Sequence, residues 1–329
     1  MSGRALIADA VAEFLSAMPY TTKSRADHWR SYLREFVSLC DSLGELDVSS
    51  LGPDLYARYA ESIAATSGRR TVSEKLTVIR KMCRFLASKG VRCIEPVIPK
   101  CPDDFSPYVY SDDELLAIAA DADRFEGYAP WRNRWICHEY PIIIRLLMSA
   151  GLRCGEVVAI RYGDVDWENG VITVKCAKGN KERLVPLHPS MFALLSLYWR
   201  RMGFPSEPGQ LIFPGKALDA PLTAKNVYSR FRFGRERTGI NVPGRKWHER
   251  GACVHSLRHT FALNSLKGIK RQGKDPQLYA PFLSAYLGHV SPEETEKYLR
   301  FDWEMYPESL SGFDEMANGI IGGGEDEDQ

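Results

Sequence analysis

The sequence predicts a mostly α-helical protein with one small antiparallel β-sheet, divided into two domains. Apolar residues recur at helical spacing through most of the 329 residues, and only one pair of short runs alternates as strands do. Residues 94–108 carry four prolines and no helical period, which is typical of an extended linker. We therefore predict a helical domain over 1–93, a linker over 94–108, a second domain over 109–318 and a disordered acidic tail over 319–329.

The first domain is predicted to consist of four helices. Three of them cover 5–18, 24–43 and 53–66. The fourth covers 71–89 and is amphipathic, with one apolar stripe formed by Val72, Leu76, Ile79, Cys83 and Leu86. Its start, flank and back are basic, through Arg69, Arg70, Arg80, Lys81 and Arg84. Such a basic face is either solvated or lies against DNA phosphates, and the pattern alone leaves both interpretations open.

The second domain is predicted to begin with a helix and to contain a β-hairpin. Residues 111–114, S-D-D-E, have the capping-box pattern of a helix start. The hairpin pairs strands at 171–175 and 183–187 around a basic turn at 178–181, and the Asn-Gly pair at 169–170 marks a further turn. The other predicted helices cover 141–150, 190–202, 223–237, 256–268, 276–287 and 292–300.

The charge of the chain is distributed unevenly. The composition, 44% hydrophobic and 26% charged, is that of a globular protein and excludes disorder of the whole chain. The net charge is only +1, but residues 301–329 contain nine acidic residues and no Lys or Arg. Residues 1–300 therefore hold 43 basic and 33 acidic residues, a net charge of +10. This asymmetry indicates a polyanionic partner.

The cysteines and the hydropathy pattern bear on the compartment. Eight cysteines are scattered without a CxxC pair, which is typical of buried thiols in a reducing compartment and argues against a zinc site. No apolar run reaches the length of a membrane span, and the first residues lack the apolar core of a signal peptide. We expect a cytoplasmic protein with no membrane partner.

A set of residues in the second domain has side chains suited to phosphate chemistry. Each alone is more often structural, as an ion pair, a solvated turn lysine, a helix cap or a packed ring. Their joint order along the chain is more specific. They are Arg153 and Glu156 in G-L-R-C-G-E, Lys178 at the hairpin tip, His255 and Arg258 in H-S-L-R-H, His289 after Leu287-Gly288, and Tyr298 nine residues later.

In this order and spacing the second domain resembles the tyrosine recombinase (phage integrase) family. The matching motifs are G-L-R-C-G-E-V at 151–157, A-K-G-N-K-E-R-L-V-P-L at 177–187, H-S-L-R-H-T-F-A at 255–262 and Y-L-G-H at 286–289, followed by Y-L at 298–299. The first domain is similar to the family's helical core-binding domain in size and character only. The resemblance implies a two-domain clamp on DNA, with the catalytic residues in the second domain.

The resemblance also implies roles for these residues. The family cleaves a DNA strand with a tyrosine, here Tyr298, which gives a 3′-phosphotyrosyl link and a free 5′-hydroxyl, and it recombines two duplexes through a Holliday junction. Arg153 and Arg258 are expected to clamp the phosphate oxygens, His255 to accept the phenol proton, Lys178 to protonate the leaving oxygen and His289 to donate a hydrogen bond. Glu156 is expected to orient Arg153, and His259 is expected to be structural.

The same resemblance implies partners but no cofactor. Neither a metal nor a nucleotide is required, because the phosphotyrosyl link conserves the bond energy. The expected partner is double-stranded DNA with inverted-repeat core sites, bound by a homotetramer on two duplexes, with sister recombinases or accessory factors as further candidates. The spacing after His289 favours a member carried on a mobile element. Association with the bacterial nucleoid follows.

Several basic segments and the C-terminus lie outside the family motifs. Lys181, Arg245 and Lys246 are candidates for phosphate contacts, and 267–275 is expected to be a long basic connection. The apolar positions of 301–318 fit a helix that packs either on its own domain or on a neighbouring protomer. The acidic end of the chain is a candidate competitor of DNA phosphates.

Three other functions remain as alternatives at this point. A catalytically silent DNA-binding regulator of the same fold is disfavoured, because all the reactive positions are present. A type IB topoisomerase shares the active-site logic but relaxes supercoils. A metal-dependent nuclease is disfavoured, because the sequence lacks the carboxylate cluster that two metal ions need.

Overall fold

The fold is described by a computed structural model of the chain, which covers residues 6–19, 23–101, 107–125, 133–175, 182–240, 251–289, 295 and 298–299. The chain divides into two compact units, Met1–Asp104 and Phe105–Gln329. The boundary between them falls inside the proline-containing segment 94–108, which the sequence predicts to be an extended linker.

The first unit is a helical bundle with its own core. Its helices are α1 (Ile7–Ala17), α2 (Lys23–Leu43), α3 (Pro53–Ala64) and α4 (Arg69–Ser88). The rings of Phe14, Phe36 and Tyr59 are fully buried at its centre. The predicted apolar stripe of α4 is confirmed, because all five of its side chains are buried in this core.

The chain after α4 folds back along that helix. Gly90 adopts a φ of 83°, in the left-handed region that favours glycine, and the backbone N–H of Val91 donates to Leu86 O at 3.1 Å. The guanidinium of Arg80 then donates from Nε and Nη2 to Pro96 O at 3.2 and 2.9 Å. The two hydrogen bonds from Arg80 therefore attach the start of the linker to α4.

The second unit contains seven α-helices, a short 3-10 helix (Tyr162–Asp164) and one three-stranded sheet within the residues that the structure describes. The helices are α5 (Asp112–Asp123), α6 (Ile136–Ala150), α7 (Cys154–Val157), α8 (Pro189–Met202), α9 (Ala224–Arg237), α10 (Val254–Arg271) and α11 (Pro276–Leu287). The strands β1 (Val165–Asp166), β2 (Val171–Lys175) and β3 (Glu182–Pro186) are antiparallel in the order β1-β2-β3. The predicted mostly helical fold with a small antiparallel sheet is confirmed.

The sheet register places one face against the helical core. Ile172 pairs with Val185, and both are fully buried. They join Ile143, Leu147 and Leu257, from α6 and α10, in one apolar cluster. Because side chains of a strand alternate between the two faces, this register also fixes which side of β3 its arginine occupies.

Two predicted helix boundaries are wrong. Helix α6 begins at Ile136 and not at 141, because burial of Ile136 and Tyr140 outweighs the backbone donor that Pro141 lacks. Helix α10 continues to Arg271, so most of the connection expected at 267–275 is helical. The side chain of Ile269 packs on the cluster around Leu263 and extends the helix past Gly268.

Other predicted features lie outside the described residues. They are the hairpin tip at 178–181, most of the helix expected at 292–300, and the segments 301–318 and 319–329. Among the helices that the structure describes, none is both long enough and apolar enough to cross a membrane.

Candidate active site

One helix carries most of the candidate site. His255, Arg258 and His259 lie on α10 at spacings of three and four residues, which places their side chains on one side of the helix. The turn between α6 and α7, the residues after α11, and Tyr298 surround this side. Four segments that are distant in sequence therefore contribute to one site.

The start of α10 is fixed by the segment that leads into α5. The backbone N–H of Tyr110 donates to Thr260 Oγ1 at 2.9 Å, and the Tyr110 hydroxyl donates to Cys253 O at 3.0 Å. Tyr110 and Thr260 are both buried. These contacts hold the helix turn that carries Arg258 in one orientation.

The guanidinium of Arg258 is buried and bridges two backbone segments. Its Nη1 donates to Gly151 O at 2.9 Å and its Nη2 to Leu287 O at 2.6 Å, while only 2% of the residue is exposed. Burial and the nearby charge of Arg153 lower the pKa of Arg258 to about 10, although Glu156 and Tyr298 act in the opposite direction. The side chain is still a cation at neutral pH, and a cation with little solvent around it attracts an anion strongly.

Arg153 is held by the carboxylate that the sequence analysis paired with it. Glu156 accepts the backbone N–H of Arg153 at 2.8 Å and its Nη1 at 3.0 Å, and Arg153 Nη2 donates to Gly288 O at 3.1 Å. The expectation that Glu156 orients Arg153 therefore has a direct geometric counterpart. About a third of the Arg153 side chain remains exposed.

A third arginine, which the sequence analysis missed, completes this network. Arg183 on β3 donates from Nη1 and Nη2 to the two carboxylate oxygens of Glu156 at 3.0 and 2.8 Å, and from Nε to Tyr286 O at 2.7 Å. A signal was present in the sequence: alternation along β3 puts Arg183 on the same face as the buried Val185. A charged residue on an inward face needs a partner there.

Glu156 is ionised because of these two arginines. Burial alone raises the pKa of this carboxyl, but hydrogen bonds from Arg183 and from the backbone of Arg153, with the charges of both guanidinium groups, lower it below its ordinary value. The carboxylate thus connects α7 to β3 and compensates part of the positive charge in the site.

His289 is a neutral imidazole in this environment. It follows Gly288, which ends α11 with a φ of 65°, and its Nδ1 lies 2.6 Å from Thr295 Oγ1. Burial and the charges of Arg258 and Arg153 lower the pKa of His289 to about 3. When the Thr295 hydroxyl donates to Nδ1, the single proton of the ring is on Nε2, which is then available as a donor.

The phenol of Tyr298 contacts two imidazole rings, those of His259 and His289. It is 4% exposed, and its hydroxyl oxygen is 2.7 Å from Nδ1 of His259. The ring of His289 stacks on it with a centroid separation of 6.1 Å, and the ring of the exposed His255 contacts His259 edge-on at 4.6 Å. Tyr298 thus has a hydrogen-bond partner in His259, the histidine that was expected from the sequence to be structural.

The structure does not test four of the other predicted site residues. Lys178, Lys181, Arg245 and Lys246 lie outside the described residues. No group of three His, Cys, Asp or Glu side chains that could hold a metal ion occurs within the described ranges.

The basic residues of α4 divide into two groups. Arg69 and Arg70 are exposed at its N-terminus. Farther along, Arg84 Nε donates to both carboxylate oxygens of Glu95 at 3.1 and 3.2 Å, Arg80 holds Pro96 O, and Lys81 Nζ lies 4.7 Å above the ring of Trp29. The second group thus has contacts within its own unit.

Comparison with known proteins relates this chain to integrases and recombinases. Residues 112–304 match the phage integrase family. The chain is 28% identical over 243 residues to the putative integrase/recombinase y4rB of Sinorhizobium fredii, covering 72% of this chain and 76% of that protein. It is 26% identical over 290 residues to the tyrosine recombinase XerC of Mesorhizobium japonicum, covering 86% of each.

The fold also has a solved counterpart. The crystal structure of a lambda integrase tetramer bound to a Holliday junction is similar, with a TM-score of 0.67 and 14% sequence identity. The similarity covers 90% of this chain and 78% of that one.

Proposed function

The chain belongs to the phage integrase family, and we propose that Tyr298 and the side chains around it form the active site with which it breaks and rejoins DNA. The chain is a tyrosine recombinase that carries out site-specific recombination. The observation that carries the assignment of the site is the position of the Tyr298 phenol, which lies in one cluster with His259, His289 and the helix that bears Arg258.

The proposed chemistry begins with attack of the Tyr298 oxygen on a DNA phosphate. The new bond joins this oxygen to phosphorus, the bond to the 5′-oxygen breaks, and a 3′-phosphotyrosyl link remains. Charge develops on the two non-bridging oxygens during this step. Arg153 and Arg258 are held by backbone carbonyls and by Glu156 before substrate arrives, so that little reorganisation is needed to stabilise that charge.

Proton transfer completes the step. In the proposal Lys178 protonates the departing 5′-oxygen, and neutral His289 donates a hydrogen bond to the phosphate from Nε2. His255, exposed on α10, is the histidine that the family pattern assigns to accepting the phenol proton. Attack by the 5′-hydroxyl of a second duplex on the phosphotyrosyl link reverses the chemistry and joins the exchanged strands.

The proposed assembly follows from the number of cuts. Each protomer cuts one strand and recombination needs four, so we assign a homotetramer on two duplexes with inverted-repeat core sites. A lambda integrase tetramer bound to a Holliday junction has a similar fold, which supports this proposal. We also propose that this complex associates with the bacterial nucleoid, because its DNA substrate lies there.

The test of the proposed function is to trap the covalent intermediate. Tyr298→Phe protein, which lacks only the nucleophilic oxygen, is used to select a bound duplex from a pool of randomised sequences. Wild-type protein incubated with that duplex is expected to form an adduct that survives denaturation by detergent and maps to Tyr298 by peptide mass spectrometry. Tyr298→Phe should bind equally well and form none.

The matched control is Tyr279→Phe, a tyrosine on α11 outside the cluster, which should form the adduct at the wild-type rate. A metal chelator should leave the reaction unchanged. Failure of the wild type to form any adduct, or an adduct on another tyrosine, would contradict the proposed site.

A further inference from the structure

His259 contacts the attacking oxygen and lies one helix turn beyond the histidine that the family pattern singles out. His259 Nδ1 lies 2.7 Å from the Tyr298 hydroxyl, and both residues are more than 90% buried. His259 stands one turn beyond His255 on α10, so its ring faces the phenol while His255 is exposed. A short hydrogen bond between two buried groups defines both positions narrowly.

The direction of this hydrogen bond follows from acidity. A tyrosine hydroxyl, with an ordinary pKa near 10, is a far stronger acid than the N–H of a neutral imidazole. The phenol therefore donates and Nδ1 accepts, which leaves the ring proton of His259 on Nε2. In this arrangement the lone pair that receives the phenol proton is already directed at it.

The surroundings favour loss of the phenol proton. The titratable and charged groups around the pair, within the described residues, are His255 on α10, His289 and Tyr286 at the end of α11, Arg258 on α10, Arg153 beside α7, and the ion pair of Glu156 with Arg183. The charge of Arg258 interacts with Tyr298 and stabilises a phenolate directly. A proton accepted at Nδ1 is accompanied by the anion formed on Tyr298, so the pair gains no net charge.

We propose that His259 is a further catalytic residue, which positions Tyr298 and, in place of His255, accepts its proton as the phenol attacks. The inference rests on the proposed function of Tyr298. In the step, the O–H bond of the phenol breaks and its proton moves to His259 Nδ1, the phenol oxygen bonds to phosphorus, and the electron pair of the P–O bond leaves on the 5′-oxygen. Reversal of the same transfer returns the proton when the strand is rejoined.

The first experiment separates proton transfer from positioning. His259→Asn places an amide oxygen close to the site of Nδ1, where it accepts a hydrogen bond but not a proton. On the duplex selected with Tyr298→Phe, the rate of adduct formation should fall about 100-fold or more, with DNA affinity unchanged. Asn264→Ala, an exposed change on the same helix, is the matched control and should keep the wild-type rate.

The pH dependence gives a readout that a structural role would not move. The wild-type cleavage rate should rise and then level off once the accepting imidazole is neutral. In His259→Asn the plateau should disappear, and the rate should continue to rise in proportion to hydroxide, because only ionisation of the phenol itself then supplies the nucleophile. Retention of the wild-type plateau in His259→Asn would overturn the proposal.

A second experiment distinguishes the two ends of the reaction. A duplex with sulfur in place of the scissile 5′-bridging oxygen has a leaving group that departs without a proton. This substrate should restore cleavage by Lys178→Ala and leave the defect of His259→Asn in place. Full restoration of His259→Asn would assign His259 to the leaving group and overturn the inference.

Different results would contradict the proposed function of Tyr298 and the proposed role of His259. If wild-type protein forms no adduct, the proposed function of Tyr298 is lost. If the wild type forms the adduct and His259→Asn matches its rate, only the role of His259 is lost. His259→Ala, read together with circular dichroism and thermal melting, reports how much of any loss is due to folding.

Discussion

Arg258 combines two tasks that a lysine cannot combine. Its planar guanidinium holds Gly151 O and Leu287 O at the same time and still presents N–H groups on its other edge. An ammonium group at the end of a flexible chain has no such fixed fork. Arg258 therefore fixes the positions of two backbone segments and also supplies positive charge to the site.

Replacing Arg258 tests this geometry. Arg258→Lys keeps the charge but is expected to lower the rate of adduct formation by about 100-fold or more, because the fixed pair of donors to the phosphate is lost. Arg271→Lys, at the exposed end of the same helix, is the matched control. Cleavage on the selected duplex measures the effect, and equal rates for the two variants would refute the clamp.

His289 links the site to the stability of the protein at acid pH. Its pKa is about 3 in the folded protein, below the ordinary value of 6.5. Between these values the unfolded chain binds a proton that the folded protein does not, so the contribution of His289 to stability is lost as pH falls below 6.5.

The corresponding prediction uses a side chain that does not titrate. In His289→Asn the free energy of unfolding should fall less steeply between pH 6.5 and pH 4 than in the wild type, by up to about 1.4 kcal/mol per pH unit. Urea denaturation at several pH values measures this slope. His28→Asn, at an exposed position of α2, is the control, and identical slopes for wild type and His289→Asn would contradict the assignment.

At the scale of elements, the turn between α6 and α7 determines where the site is. Gly151 ends α6 with a φ of 59°, and its carbonyl accepts from Arg258. A Cβ at this position would lie 2.3 Å from Cδ1 of Phe261 on α10. Only glycine therefore allows the backbone to approach α10 closely enough for that hydrogen bond.

Gly151→Ala is expected to destabilise the protein by at least about 1–2 kcal/mol from its backbone conformation alone, with a further cost from the contact with Phe261. It should also reduce cleavage, because Arg258 loses its carbonyl partner. Gly155→Ala is a close control, because it lies in the same motif and an added Cβ would meet no atom within 4 Å beyond its chain neighbours and its own helix backbone. Its effect should be below about 1 kcal/mol. Equal melting temperatures for the two variants would argue against this account.

The elements also show where sequence patterns are reliable. The stripe of α4 and the strands β2 and β3 follow their patterns closely, because periodic burial determines them locally. The end of α10 does not, since Ile269 gains its packing from residues brought together only in the fold. The contacts of Arg183 likewise depend on the fold, because its partner Glu156 is on an element distant in sequence.

At the scale of the whole molecule, the net charge conceals an uneven distribution of charge along the chain. The near-neutral sum of +1 combines a net charge of +10 over 1–300 with nine acidic residues after Tyr298. A basic body suits a DNA-acting enzyme, because its lysines and arginines release counterions from phosphates. We expect the acidic residues at the end of the same chain to compete with those phosphates.

Deletion of 322–329 tests this competition. The truncated protein is expected to bind duplex DNA several-fold more tightly at low salt and to show a steeper dependence of affinity on salt concentration. A variant in which the four acids of 325–328 become Gln and Asn keeps the length of the chain and should behave like the deletion. Unchanged affinity and slope in both would mean that the acidic end does not affect DNA binding.

The sequence by itself determined the fold class and the family, and it predicted Arg153, Arg258 and Tyr298 as reactive residues, because short motifs and periodic patterns are local properties of the chain. The tertiary structure alone decided which groups meet. It brought Arg183 to Glu156 and His259 to Tyr298 across 27 and 39 residues. A hydrogen bond depends on positions within a fraction of an ångström, and those positions result from packing of the whole domain.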